Sequence, residues 1–97
     1  MITFRLIWRI GSIIAEVRES YMQTDYPEKY MTLGLKIAYY RKKAGYTQEA
    51  FAEKINKSVN FLAQVEGTGT TRGVSLETLF KISDVLGVPA SKFLEDD

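Results

Sequence analysis

The sequence has no cysteine and no histidine, and these absences restrict what a chain of 97 residues can do. Without cysteine it forms no disulfide framework, and without either residue it lacks the nitrogen and sulfur ligands of common zinc sites. An active site would have to depend on Asp, Glu, Lys, Tyr or Ser. Because the sequence places no two such residues together in a pocket, we expect neither an enzyme nor a bound cofactor.

Long apolar runs without charge are missing as well. The most apolar stretch, residues 2–22, is interrupted by charged side chains, among them Arg5, Arg9, Glu16 and Arg18. We therefore expect no transmembrane span and no signal peptide, and hence a cytoplasmic protein without membrane contact. The hydrophobic content of 45% is enough for one globular domain.

The charges are unevenly distributed along the chain. Residues 32–66 carry six basic and three acidic side chains, whereas residues 67–97 carry three and five, and residues 1–31 carry four of each. A positive middle segment suits a surface that faces phosphates. Ordinary solvated surface charges would give the same distribution, so the charge pattern alone does not choose between the two.

Residues 47–66 contain two short helical patterns separated by a very short break. Thr47 and Ser58 are good N-caps, because each hydroxyl can accept a hydrogen bond from a first-turn N–H. Asn56 tolerates the left-handed backbone needed where the chain reverses. The inward positions recur at helical spacing, and they are Phe51, Ala52 and Ile55, then Leu62 and Val65. This spacing is typical of a helix-turn-helix.

Further motifs surround this one in a fixed order. They are Leu33-Gly34-Leu35-Lys36-Ile37, residues 41–49, Phe51-Ala52-Glu53-Lys54-Ile55, Val65-Glu66, residues 75–79 and Leu86-Gly87-Val88. With them the chain resembles the phage-repressor-type (Cro/C1, or XRE-type) helix-turn-helix domains. The resemblance implies an all-α, lambda-repressor-like fold of five short helices that binds duplex DNA, usually as a symmetric dimer. It covers residues 32–95 and leaves residues 1–31 as an N-terminal extension.

We expect the five helices at particular places. Thr32 would cap a first helix that runs to about Ala44. Its residues near the core would be Leu33, Ile37, Tyr40, Tyr39 and Ala44. The second helix would span about residues 48–55 and the third about 59–66. The fourth would begin after Ser75 and end at Gly87, and a short fifth would follow Pro89 and present Phe93 and Leu94. The inward stripe of the fourth helix would consist of Leu76, Leu79, Phe80, Ser83 and Leu86, supported by Ile82 and Val85.

In the family, the third helix enters the major groove with its N-terminal side chains on base edges. Val59, Asn60 and Gln64 occupy the base-reading positions. The two amides match the edge of adenine, and Val59 suits a thymine methyl group. A solvated helix face is the alternative, which we favour less.

The resemblance also implies a set of phosphate contacts. Gln48 begins the second helix, Ser58 would combine capping with a phosphate contact, and the loop after the third helix would lie along the DNA backbone. The predicted contacts are Gln48, Lys57, Ser58, Thr70, Thr71 and Arg72. Lys57 departs from the family, which usually has an apolar residue there, so either its stem is buried or its ammonium group reaches a phosphate. Phe61 is unexpectedly large, and it either repacks that space or lies exposed at the groove wall.

Residues 2–22 fit two secondary structures. As a helix they place a narrow polar stripe opposite a broad apolar one. As a hairpin they place an apolar residue at every second position from Ile2 to Ile10 and turn at Gly11-Ser12. The seven β-branched residues of this segment also favour strands. Of the two we favour the helix. In either form the apolar surface should pack on the domain or on a second chain.

A different interpretation of this segment is that the natural protein starts at Met31. The codons for Pro27-Glu28-Lys29 can spell a purine-rich ribosome-binding sequence just upstream of it, and residues 1–30 would then have no selected structure. Reading the nucleotide sequence would test this.

The sequence thus predicts a sequence-specific DNA-binding regulator. We expect a homodimeric repressor or an autoregulatory antitoxin-like protein that binds a palindromic operator in double-stranded DNA. The alternative is a protein-interaction module that keeps the fold without specific DNA binding.

Overall fold

The computed structural model describes residues 23–69 and 71–96, and the predictions for residues 2–22 and Thr70 lie outside this part. The described residues form five α-helices and no strand, as the predicted all-α fold requires. The helices are α1 (Pro27–Lys43), α2 (Gln48–Lys54), α3 (Val59–Glu66), α4 (Leu76–Leu86) and α5 (Ala90–Leu94). Within these ranges, no helix has both the length and the apolar character that a bilayer crossing requires.

The first helix begins at Pro27, so the prediction that Thr32 caps it is wrong. Proline suits the first position of a helix, because its φ is already helical and its missing N–H would have had no partner. Glu28 adds a favourable charge at the positive end of the helix dipole. The extra turn brings Tyr30 against the core. The helix therefore runs through residue 31, where we had expected the extension to end.

Three helix ends share one stop signal, as predicted for each. Gly45, Asn56 and Gly87 follow α1, α2 and α4 with positive φ angles of 87°, 59° and 66°. After α2, the N–H of Lys57 donates to the carbonyl oxygen of Ala52 at 2.9 Å. This hydrogen bond is the long-range bond of a Schellman motif, and it fixes the direction in which the chain leaves α2.

The predicted N-caps of the next three helices are confirmed. The hydroxyl of each accepts a hydrogen bond from the N–H three residues later. These caps are Thr47, Ser58 and Ser75, with donor to acceptor distances of 3.0, 3.0 and 3.1 Å. The start of each helix is therefore set by a local bond.

The core lies where α1 packs against α3, α4 and α5, and α2 packs against α3. Its buried apolar side chains are Leu33, Ile37, Phe51, Ala52, Ile55, Leu62, Val65, Leu79, Ile82 and Phe93. The inward residues predicted for α2 and α3 are confirmed. Phe93, which we expected α5 to present, is buried, and its ring meets that of Tyr40 edge to face at 5.3 Å.

Other predicted core positions are wrong. Tyr39 on α1 and Ala44 directly after it are exposed. On α4, Leu76 and Phe80 are exposed, whereas Thr78 is buried. Thr78 tolerates burial because its Oγ1 accepts a hydrogen bond from the hydroxyl of Ser75 at 3.0 Å. The inward face of α4 is therefore rotated toward Thr78 and away from its first residue.

The crossing of α1 over α3 leaves no room for a side chain at Gly34. A Cβ atom placed there would lie 1.9 Å from the carbonyl oxygen of Val65. Because the obstructing atom belongs to backbone, no change of rotamer can relieve the overlap. Glycine at this position sets how closely the two helices approach.

Candidate nucleic-acid interface

The turn between α2 and α3 controls how the first residues of α3 are displayed. Ser58 has an extended backbone, and its Oγ accepts the N–H of Phe61. Leu62 and Val65 are buried, so the opposite face of α3 points away from the core. Val59 and Asn60 are exposed in the first turn of this face, and Gln64 is half-buried one turn later.

A buried ion pair connects α3, the second helix of the motif, to α1. Nε of Arg41 donates to Oε2 of Glu66 at 2.7 Å, and Nη2 donates to Oε1 at 2.9 Å. Nη1 of Arg41 also donates to the carbonyl oxygen of Tyr46 at 2.7 Å. The side chains are only 7% and 5% exposed, and their bidentate geometry is the strong form of this interaction. The end of α3 is thereby fixed to the end of α1.

Sequence reasoning missed this pair, although the sequence contains a signal for it. Arg41 lies with Lys42 and Lys43 in the last turn of α1, where cations commonly complement the helix dipole. Arg41, however, follows Leu33 and Ile37 at spacings of four residues, and both of these are core positions. A charged residue in an inward stripe indicates a buried partner.

Gln48, predicted to contact a phosphate, is held by the same carboxylate. Its Nε2 donates to Oε1 of Glu66 at 2.9 Å, which links the start of α2 to the end of α3. An amide nitrogen carries two hydrogens, and this bond uses one of them. The second hydrogen remains for an acceptor outside the protein, so a phosphate contact is chemically compatible with the observed bond.

Two other predicted positions, Lys57 and Arg72, lie beside Phe61. The ammonium group of Lys57 lies 5.3 Å from the centroid of the ring, and the guanidinium carbon of Arg72 lies 5.0 Å from it. Lys57 is exposed, so its stem is not buried beneath the motif. Phe61 is half-buried and packs against the core. Thr71 is half-buried in the same loop as Arg72.

The ring therefore brings together a residue of the α2–α3 turn and a residue of the loop after α3. Neither Lys57 nor Arg72 forms an ion pair with a carboxylate within residues 23–69 and 71–96. The same ranges contain no group of three acidic side chains placed to hold a metal ion. This part of the surface thus presents cations and hydrogen-bond donors, which suit an anionic partner.

An apolar groove lies at the other end of α1. It is formed by the first turns of α1, the start of α4 and the end of α5, and it encloses about 610 Å³. Leu33, Leu79 and Phe93 contribute to its lining, and Leu76 and Leu94 remain more than half exposed beside them. We refer to this feature as the apolar groove.

The fold and the polar face of α3 together define a helix-turn-helix DNA-binding domain. A sequence model of the helix-turn-helix family matches residues 37–93, which is more than half of the chain. The chain therefore belongs to the phage-repressor-like, XRE-type helix-turn-helix family. This family consists of DNA-binding regulators and is not typically enzymatic. No curated protein matches the sequence.

Proposed function

We propose that this protein is a sequence-specific regulator that binds a palindromic operator as a two-fold homodimer and represses transcription. An autoregulatory antitoxin-like protein is the alternative form of this regulator. The observation that carries the proposal is the capped first turn of α3, where Val59 and Asn60 are exposed. A helix start displayed in this way can enter the major groove.

The base contacts in this proposal come from one face of α3. The amide of Asn60 can pair with the N6 and N7 atoms of adenine, and Gln64, one turn later, can do the same at a neighbouring base. Val59 would pack on a thymine methyl group. Because Ser58 and Asn56 fix the path into α3, these side chains would meet the bases in one register.

The phosphate contacts would surround this face. The hydrogen bond from Gln48 to Glu66 holds the amide of Gln48 at the start of α2, which supports its proposed phosphate contact. Lys57 and Arg72 contribute positive charge, and Ser58 and Thr71 contribute hydroxyl groups. The predicted contact from Thr70 belongs to the same group. Such contacts orient a protein on duplex DNA without reading its sequence.

Dimerisation is proposed because one module of this size buries too little surface for tight, specific binding. Two recognition helices would lie about 34 Å apart, one turn of DNA. The apolar groove and residues 1–22 each offer apolar surface for self-association. Deletion of residues 1–22 separates these candidates and spares α1. A truncated chain that still dimerises would favour the groove, and a full-length chain that sediments as a monomer on palindromic DNA would refute the dimer.

The test of the proposed function is selection of bound sequences from a random duplex library. The selected duplex and a scrambled duplex of equal length are then titrated at several salt concentrations. We expect tighter binding of the selected duplex, with both affinities falling as salt increases. Equal affinity for the two duplexes would contradict sequence-specific binding.

The second candidate function is a protein-interaction module without specific DNA binding. It is supported by the exposed leucines of the apolar groove, which a DNA contact would not cover. Stoichiometric binding of a protein partner, combined with absence of salt-sensitive duplex binding, would favour this candidate over the regulator.

A further inference from the structure

We propose that Phe61 is a positioning residue for DNA binding, because its ring holds the cations of Lys57 and Arg72 where they can meet phosphates. The inference rests on the proposed function and adds to it a residue that contacts neither a base nor a phosphate. It starts from the distances of 5.3 and 5.0 Å between the two cations and the ring centroid.

The face of an aromatic ring is negative, so it attracts a cation that lies over it. One cation over a ring is common, but here two cations from separate segments share the same ring. Lys57 comes from the turn before α3, and Arg72 comes from the loop after it. Within the described residues no carboxylate pairs with either. Two like charges gathered without a counter-ion are an arrangement that an anion would stabilise.

The ring itself is held firmly. Phe61 lies in the first turn of α3, where its N–H donates to the capping hydroxyl of Ser58 at 3.0 Å, and its side chain packs against the core. It therefore moves with the helix proposed to read the bases. Long Lys and Arg side chains lose rotamer freedom on binding, and a ring that already restricts them lowers this cost.

The arrangement also accounts for the size of Phe61. A smaller apolar residue would fill the space beside the core, but it would offer no π face to the cations. Arg72 would then lose its contact with α3, and Lys57 would be restrained only by the turn. Phe61 should thus increase affinity for all duplex sequences alike, since phosphates carry no sequence information.

The test compares Phe61→Leu with Phe61→Tyr in the full chain. Leucine keeps an apolar side chain, whereas tyrosine keeps the aromatic face. Affinities for the selected and the scrambled duplex are measured over a range of salt concentrations. We expect Phe61→Leu to weaken binding of both duplexes equally, by about threefold to tenfold, and to flatten the log–log salt dependence by about one unit. Phe61→Tyr should restore both values.

The matched control is Phe80→Leu, since Phe80 is an exposed aromatic residue on α4. It should leave both affinities and the salt dependence unchanged. In addition, Lys57→Ala should cost less affinity in the Phe61→Leu background than in the wild type, because the ring no longer positions the lysine. A purely structural role of Phe61 would not produce this coupling, because packing against the core does not involve the lysine.

The inference is overturned if Phe61→Leu binds both duplexes like the wild type, or if Phe61→Tyr is as weak as Phe61→Leu, while the wild type binds DNA normally. A wild type that binds no duplex even at low salt would instead overturn the proposed function together with the inference. If Phe61→Leu does not fold, NMR of the free wild type shows whether the ring contacts the two cationic side chains. Ring-current shifts of the Lys57 Hε and Arg72 Hδ protons support the inference, and random-coil values contradict it.

Discussion

The two ends of α1 contact very different surroundings. At its C-terminal end, Arg41 forms bidentate hydrogen bonds with Glu66, which also accepts from Gln48, so three helices meet in one polar network. At its N-terminal end, the apolar groove exposes more than half of Leu76 and Leu94. The polar side chains at the C-terminal end are hydrogen-bonded to one another, whereas the two leucines at the N-terminal end remain largely exposed.

We propose that this difference separates two tasks within one small domain. A surface that reads DNA has to present its donors in a fixed geometry, which caps, Schellman bonds and a buried ion pair provide. An apolar surface needs no such directional bonds, since burial against a partner is its source of free energy. We therefore propose DNA binding at the end near α2 and α3, and the apolar groove as one of the two candidate surfaces for association.

The largest predicted effect is at the crossing of α1 and α3. Gly34→Ala places a methyl group 1.9 Å from a backbone oxygen, so the helices must separate. We expect the free energy of unfolding to fall by more than about 4 kcal/mol, beyond the usual range of point substitutions. Urea denaturation followed by circular dichroism measures the loss. Gly69→Ala is the control, because its Cβ would meet nothing within 4 Å. Similar stability of the two variants would refute the close crossing.

The next effect concerns the polar network. Glu66→Gln removes the negative charge and leaves the buried guanidinium group of Arg41 without a counter-ion. The free energy of unfolding should fall by about 3–4 kcal/mol. Glu53→Gln, on the exposed side of α2, should change it by less than about 0.5 kcal/mol. Equal, small losses in both variants would show that the ion pair is not buried in solution.

The smallest predicted effect is in the apolar groove. Leu76→Ala and Leu79→Ala make the same change on one helix, but Leu76 is 63% exposed and Leu79 is 3% exposed. We expect a loss of about 2–3 kcal/mol for Leu79→Ala and less than about 0.5 kcal/mol for Leu76→Ala. Thermal unfolding at low protein concentration measures both. A large loss for Leu76→Ala would mean that a second copy or residues 1–22 cover the groove.

Much of the fold follows from local signals in the sequence. Thr47, Ser58 and Ser75 cap helices with their own hydroxyls, and Asn56 and Gly87 end them with left-handed backbones. Each of these signals acts within a few residues, so it is visible without knowledge of the tertiary structure. The bounds of α3 were predicted for this reason.

The first helix shows where such signals conflict. Thr32 and Pro27 are both acceptable start signals, and only packing chooses between them. The choice falls on Pro27, since the added turn places Tyr30 against the core. On α4, hydrophobic periodicity could not distinguish Leu76 from Leu79, because the difference depends on which neighbours α1 and α5 supply.

The exposure of the residues at the start of α3 was predictable, whereas the contacts around the candidate site were not. The exposure of Val59 and Asn60 could be predicted because the bounds of their helix were predicted correctly. The bond from Gln48 to Glu66 joins residues 18 positions apart, and the contact between Arg72 and Phe61 joins the loop after α3 back to that helix. Long-range contacts of this kind depend on how helices cross, which a single sequence specifies only through its whole core.

The measurement that tests the central claim most directly is the effect of Asn60→Ala on two affinities. The claim is that the exposed face of α3 reads bases, so the variant should bind the selected duplex about 1–3 kcal/mol more weakly. Its affinity for the scrambled duplex should remain nearly that of the wild type. Equal losses on the selected and the scrambled duplex would contradict base reading by α3.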